Sequence, residues 1–138
     1  MYKIYVKTIR KNYRGVFAAE NIKKGEVVEI CPVVTVPKSQ EKLLDRTHLI
    51  NYYFIWGPQN QPAICLGYGS LYNHSFEPNI EYEEKVKKKV LVSTALRNIK
   101  KGEELRSNYN GDHDSKDPVW FKTDQKSGRK STKKRTKK

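Results

Sequence analysis

Gly69-Ser-Leu-Tyr-Asn-His-Ser-Phe-Glu-Pro-Asn79 is the stretch on which the reading of this chain turns. Asn73, His74, Ser75 and Asn79 crowd hydrogen-bonding side chains between Leu71, Tyr72 and Phe76, and a proline turn closes the run. On composition alone such a segment is a polar loop, because Asn, Ser and Pro each favour turns for their own backbone reasons. Gly67-Tyr-Gly69 is not a phosphate-binding loop, since Ser-Leu-Tyr-Asn follows it instead of a Lys-Ser pair or a helix-forming run. Nucleoside triphosphate chemistry is not indicated.

The surroundings of that stretch read as strands. Tyr2, Ile4 and Val6 alternate with Lys3, Tyr5 and Lys7, the period-2 pattern of a strand with one buried face. Further β-type runs are expected at 15–18, 27–36, 52–56, 64–66, 80–83 and 90–95, each bounded by Gly, Pro, Asn or charged turns. One helix is expected, capped by Ser39 and running through Glu41, Leu43 and Leu44. Asn21-Ile-Lys-Lys-Gly-Glu26 recurs as Asn98-Ile-Lys-Lys-Gly-Glu103, each time before a segment with strand character. Both copies predict tight turns, with the glycine supplying a positive φ and Ile22 and Ile99 pinning the corner to the core. Two distant copies are too few for a solenoid, so they read as similar corners of one β-rich domain.

The 138 residues suit a single domain, and the charge is uneven along them. Residues 122–138 hold nine Lys or Arg against one acid, which leaves +5 of the total +13 for residues 1–121. Residues 122–138 therefore read as a basic, disordered tail that either solubilises the chain or makes weak contact with a polyanion such as nucleic acid. Cys31 and Cys65 lie far apart without C-x-x-C spacing, which gives neither a disulfide framework nor a zinc site. His48, His74 and His113 have no H-x-x-x-H partner, so spacing gives no metal site. The first residues lack a signal-peptide core and no run of 18 apolar residues occurs, so no membrane insertion is expected. A cytoplasmic setting is expected, with a nucleus, including a host's, left open by the basic tail.

Four segments occur in a telling order: Arg14-Gly-Val-Phe-Ala18, Ile22-Lys-Lys-Gly-Glu26, Asn73-His-Ser-Phe-Glu-Pro-Asn79 and Ile99-Lys-Lys-Gly-Glu-Glu-Leu-Arg-Ser-Asn-Tyr109. Together they resemble the SET domain of protein lysine methyltransferases, and the resemblance runs from about residue 10 to 121. The nearest likeness is to the minimal, stand-alone bacterial and viral versions, which share a Tyr52-Tyr-Phe-Ile-Trp56-like stretch and a late aromatic pair like Trp120-Phe121. The resemblance implies a mainly β fold of the β-clip type over residues 1–121, with several short sheets, few short helices and a knot-like C-terminal crossing.

Carried over residue by residue, it implies S-adenosyl-L-methionine as cofactor, its methionine part at the turn of Arg14, Gly15 and Val16. Asn73 and His74 would hold its adenine and amino acid ends, and Trp120 would cover adenine or line the channel. Tyr109 matches the tyrosine at the methyl-transfer centre, while Tyr52, Tyr72 and Phe121 are candidates for the lysine channel. For Tyr52 and Tyr72 a half-buried core role is the competing reading. Tyr13 stands where the family's turn has its first glycine, and Phe76 stands where larger members carry a cysteine. No cysteine cluster follows Tyr109, so no zinc-bound flanking module is expected, and the spacer after Tyr109 is longer than in many relatives.

The implied reaction is an in-line displacement, which needs a cofactor cleft and a lysine channel that meet. Aligning the reactants can supply about 7 to 11 kcal/mol of the barrier. A lysine with pKa about 10.4 is seldom neutral at pH 7, a penalty of about 4 to 5 kcal/mol that an aromatic channel and a neighbouring sulfonium charge reduce. Tyr109, with an ordinary pKa near 10, suits orientation and electrostatic support better than a resting base's role.

The expected partner is a protein with an exposed lysine, a histone or other basic chromatin-like protein, and a homodimer is compatible with the sequence. Ser127-Gly-Arg-Lys-Ser-Thr132 resembles an Arg-Lys-Ser-Thr stretch of a core histone arm, which makes Lys130 either a self-methylation site or a mimic of the substrate. Two alternatives stay open. One is a non-catalytic module of this fold whose tail contacts nucleic acid; the other is a methyltransferase for a different amine.

Overall fold

The computed structural model describes residues 2–119. The described residues form two sheets. The first has strand order β1-β2-β9-β6, built from Ile4–Arg10 (β1), Tyr13–Ala18 (β2), Asn73–His74 (β6) and Glu104–Ser107 (β9). The second has order β4-β5-β3-β8-β7, from Val27–Thr35 (β3), Tyr53–Trp56 (β4), Gln61–Cys65 (β5), Ile80–Lys85 (β7) and Val90–Ala95 (β8). A single helical turn, Glu41–Leu44 (α1), and three short 3-10 turns complete the described elements. This mainly β architecture with few short helices is the fold class the motifs implied.

Alternation explains the strands. On β3, Cys31 and Val33 point inward while Ile30, Pro32 and Val34 stay exposed, so one face packs and the other meets solvent. Cys31, Val33, Phe54, Trp56, Ala63, Cys65 and Leu91 form one core cluster; Ile4, Val16, Ile22, Ile80, Ile99 and Leu105 belong to another beneath the first sheet. The expected helix sits where Glu41, Leu43 and Leu44 placed it, but Ser39 does not cap it. Ser39 lies within a 3-10 turn, Gln40 occupies the cap position, and no side chain caps the helix there. Thr47 is the side chain that does cap, accepting from the Leu49 N–H at 3.2 Å to start the His48–Asn51 turn.

The two hexapeptide copies are corners, as read, and they also pair with each other. Ile22 and Ile99 exchange both main-chain hydrogen bonds, at 2.8 and 2.7 Å. The pairing is reciprocal at the side chains: Asn98 Oδ1 accepts from Lys24 N and Asn21 Oδ1 from Lys101 N, each at 2.9 Å. Gly25 and Gly102 turn the chain with φ of +87° and +90°. Inside each turn the glutamate accepts from the first lysine's N–H, Glu26 from Lys23 and Glu103 from Lys100. Those bonds come first among the causes that hold both carboxyls below their ordinary pKa.

Candidate functional site

β6 and β9 pair in parallel, with Asn73 opposite Arg106 and His74 opposite Ser107. Two motifs far apart in the sequence are therefore neighbours, and Tyr109 lies just past the end of β9, after Asn108. Asn79 locks the arrangement. Its amide donates to the Glu104 carbonyl at 2.9 Å, its Oδ1 accepts from Arg106 N at 2.8 Å, and its own N–H donates to the Arg106 carbonyl at 3.1 Å.

From β6, Asn73 Nδ2 donates to the Arg14 carbonyl at 3.0 Å and to Glu104 Oε1 at 2.7 Å. Glu104 also takes Arg106 in a forked ion pair, with Nε at 2.9 Å and an Nη at 2.6 Å. Gly15 is what lets these groups approach β2. A Cβ there would lie 2.5 Å from Glu104 Oε1 and 3.0 Å from Asn73 Nδ2, so the backbone, the amide and the carboxylate close together only around a glycine. Val16, one residue on, is fully buried opposite Leu105 and offers the site only its main chain.

Tyr109 is buried at the end of this assembly. Its hydroxyl donates to the Tyr72 carbonyl at 2.6 Å, and its N–H donates to His74 Nδ1 at 3.1 Å. An accepting Nδ1 places the ring proton of neutral His74 on Nε2. The His74 ring stands edge-on to both Tyr109 and Phe76, with centroids 5.2 and 4.5 Å away. Burial first, then Tyr13, Tyr82 and Glu104, push the Tyr109 phenol far above its ordinary pKa.

A cleft of about 640 Å³ opens over these groups, with Tyr13, Arg14, Tyr52, Ser70, Asn73 and Tyr109 on its walls. It brings together Arg14, Tyr52, Asn73 and Tyr109 from the sequence-predicted set. Two predicted side chains face elsewhere. The Tyr72 ring is buried and is not among the residues that line the cleft: its hydroxyl donates to Glu29 Oε1 at 2.8 Å, while its carbonyl accepts from Tyr109. The His74 ring accepts from the Tyr109 N–H and is not among the residues that line the cleft. Trp120, Phe121 and Lys130 lie outside the described residues.

Sequence reasoning missed Glu104 and Glu29. Glu29 is a buried carboxylate that accepts from the Tyr72 hydroxyl and, at 2.9 Å, from the Tyr68 N–H, fixing the 67–72 segment to β3. The glycine at Gly67, φ +71°, was its one local trace, since a Cβ there would lie 2.5 Å from Glu29 Oε2. Tyr13, in the family's glycine position, is a cleft wall whose hydroxyl is buried near Glu104 without meeting the geometry of a full hydrogen bond. Burial and then that carboxylate raise its pKa to about 12.

The lining suits a polar, nucleoside-sized ligand. Its volume falls in the ordinary range for such sites, and the buried Ser70 hydroxyl on its wall has no hydrogen-bond partner among the described residues. No three His, Cys, Asp or Glu among the described residues converge as a metal site, and no described helix is long and apolar enough to cross a membrane.

Comparison with known proteins agrees with this assembly. The sequence pattern of the SET domain matches residues 13–110. A Schizosaccharomyces pombe histone-lysine N-methyltransferase, H3 lysine-37 specific, is 33% identical over 117 residues, covering 84% of this chain and 75% of the relative. A crystal structure of a Plasmodium falciparum protein, provisionally assigned as a histone methyltransferase, is 32% identical with a TM-score of 0.65, covering 88% of this chain and 99% of its own. ctPRC2 in an autoinhibited conformation bound to S-adenosylmethionine shares the fold, with a TM-score of 0.62 at 23% identity over 79% of this chain and 15% of its own. The matched region holds β2, β6, β9 and Tyr109 with most of the residues that line the cleft, and the chain belongs to the SET domain family of protein-lysine methyltransferases.

Proposed function

We propose that the chain transfers a methyl group from S-adenosyl-L-methionine to the ε-amine of a lysine in a histone or another basic, nucleic-acid-associated protein. The observation that carries this reading is the position of Tyr109, a buried phenol on the cleft wall whose proton is committed to the Tyr72 carbonyl at 2.6 Å. The cofactor fits the polar wall, where the Arg14 and Gly15 main chain, the Asn73 amide and the Ser70 hydroxyl would hold it. When bound, it supplies a methyl group on a sulfonium, activated for displacement.

The remaining work falls to this chain. Tyr52 and Tyr109 give the incoming lysine aromatic walls, which strip water from the ammonium and favour its neutral form. With its proton donated to Tyr72, the Tyr109 oxygen keeps its lone pairs available, and these would orient the amine or contact a polarised methyl group. His74 fixes the Tyr109 main chain, and the Tyr72–Glu29 bond fixes the carbonyl that Tyr109 needs. Incubation with isotopically labelled S-adenosyl-L-methionine and an H3 amino-terminal peptide tests the reading. Label on a peptide lysine is the expected result; cofactor bound without transfer to any histone or other basic protein would overturn it.

A further inference from the structure

The reciprocal pairing of the two Lys-Lys-Gly-Glu corners gathers charge in a way that neither copy does alone. Lys23, Lys24, Lys100 and Lys101 are all exposed on one ridge, because the Ile22–Ile99 bridge sets the two turns side by side. Two residues on either side of that bridge keep the lysine pairs within roughly 15 Å of one another. The carboxylates of the same corners do not neutralise them. Glu26 is taken by Lys3 at 3.1 Å and Glu103 by Arg97 at 3.0 Å, while both also accept from their own turn's backbone. None of the four ridge ammoniums forms an ion pair among the described residues. Segments 19–26 and 96–103 together with Lys3 carry six cations against three carboxylates, Glu20 being the third.

A second lysine cluster among the described residues carries a smaller surplus. Lys85, Lys87, Lys88 and Lys89 lie at the turn of the β7–β8 hairpin, where β7 also carries Glu81, Glu83 and Glu84, and Glu83 pairs Lys85 at 2.6 Å. The ridge also lacks what other polyanionic partners require. Ile22 and Ile99 are buried, so its centre has no apolar anchor for a lipid surface, and neither corner carries an aromatic side chain on which unpaired bases could stack. Lysines in two pairs, free to move on long stems, suit the regularly repeated phosphates of a duplex. The ridge sits at the start of β9 and Tyr109 just past its end, at most about 27 Å along eight residues, so one macromolecule can reach both.

We propose that the paired corners form a phosphate-binding ridge that holds the backbone of duplex DNA while a lysine of a DNA-bound protein enters the cleft. The second half rests on the methyl-transfer reading above; the first does not. The test measures binding of the full chain to a short fluorescein-labelled duplex by anisotropy over about 50 to 200 mM salt. It compares K23Q/K24Q/K100Q/K101Q with the charge-matched control K42Q/K85Q/K87Q/K88Q, after thermal melts confirm that both fold. Each lost phosphate contact lowers the log–log salt slope by about 0.9, so the ridge variant should lose about 3 to 4 in slope and the control little. Methylation of a free peptide should be unchanged in both variants, whereas methylation of DNA-bound substrate should fall in the ridge variant alone. An unchanged slope in the ridge variant, an equal loss in the control, or ridge-dependent binding to phosphatidylserine vesicles without binding to the duplex would overturn the proposal. Absence of methyl transfer beside an intact ridge effect on DNA would refute the enzymatic reading and leave the ridge standing.

Discussion

The Tyr109 hydroxyl donates to the main-chain carbonyl of Tyr72 at 2.6 Å, and the Tyr72 hydroxyl in turn donates to Glu29 at 2.8 Å. A phenol buried in this way keeps its proton and offers only lone pairs to whatever stands beside it. The environment of Tyr109 is therefore set partly by a carboxylate on β3 that does not line the cleft.

The first consequence is a pH profile. Tyr109 is pushed far above its ordinary pKa and Tyr13 to about 12, so neither ionises while a substrate lysine loses its proton. Methyl transfer should rise between about pH 7 and 9.5, tracking a lysine of pKa about 10.4 lowered by its channel. Stability should move the other way at higher pH. Tyr13, Tyr72 and Tyr109 all have folded pKa values raised above the unfolded value near 10, so their contribution is complete below pH about 10. Above it the unfolded chain releases protons first, and the unfolding free energy falls as pH rises. Denaturant unfolding at pH 8 and at pH 10.5 measures the sign; greater stability at the higher pH would contradict it.

Removing Glu29 should uncouple this support. Glu29→Ala leaves the buried Tyr72 hydroxyl and the Tyr68 N–H without their acceptor, and should lower stability by about 2 to 4 kcal/mol in chemical denaturation. Where the variant still folds, kcat should drop more than cofactor affinity. A loss below about 0.5 kcal/mol would mean that the carboxylate is dispensable.

Gly15→Ala tests the junction of β2 with the two motifs. The new Cβ would meet Glu104 Oε1 and Asn73 Nδ2, displacing the amide from the Arg14 carbonyl. Calorimetry should show S-adenosyl-L-methionine binding weakened by about 1 to 3 kcal/mol, with Asn73→Ala giving a loss of similar size. Unchanged affinity in both would place the cofactor away from this wall.

Much of this fold could be read locally, because alternation over Ile4, Val6, Val27–Thr35 and Val90–Ala95 carries its own signal. The parallel pairing of Asn73-His74 with Arg106-Ser107 carries none. A two-residue strand has no period, and its partner lies far along the chain, so the segment reads as a polar loop until the family motifs are set side by side. The site divides in the same way. Tyr109, Asn73, Gly15 and Arg14 were legible as motif residues, whereas Glu104 and Glu29 act through contacts that only the folded chain makes. Tyr72 and His74 were legible as residues of the site, but which way their rings face depends on Glu29 and on the Tyr109 main chain.

The paired corners give a separate check on the fold. Gly25 and Gly102 have open space where a Cβ would go, so Ala costs only backbone strain at φ near +90°. Each substitution should destabilise by about 1 kcal/mol, whereas Ile99→Ala, in the buried bridge, should cost about 2 to 5 kcal/mol. Equal effects from Gly102→Ala and Ile99→Ala in thermal or chemical unfolding would contradict the division between strain and packing.

Tyr109→Phe measures the central claim, because it removes one hydroxyl and leaves the ring and its packing. The decisive experiment is single-turnover methyl transfer from S-adenosyl-L-methionine to a lysine peptide, with cofactor affinity and unfolding measured on the same preparations. Transfer should slow by about 100- to 1,000-fold while the cofactor still binds and the protein stays folded. A folded Tyr109→Phe protein that methylates lysine at the parent rate would contradict the assignment of the Tyr109 hydroxyl to the reacting centre.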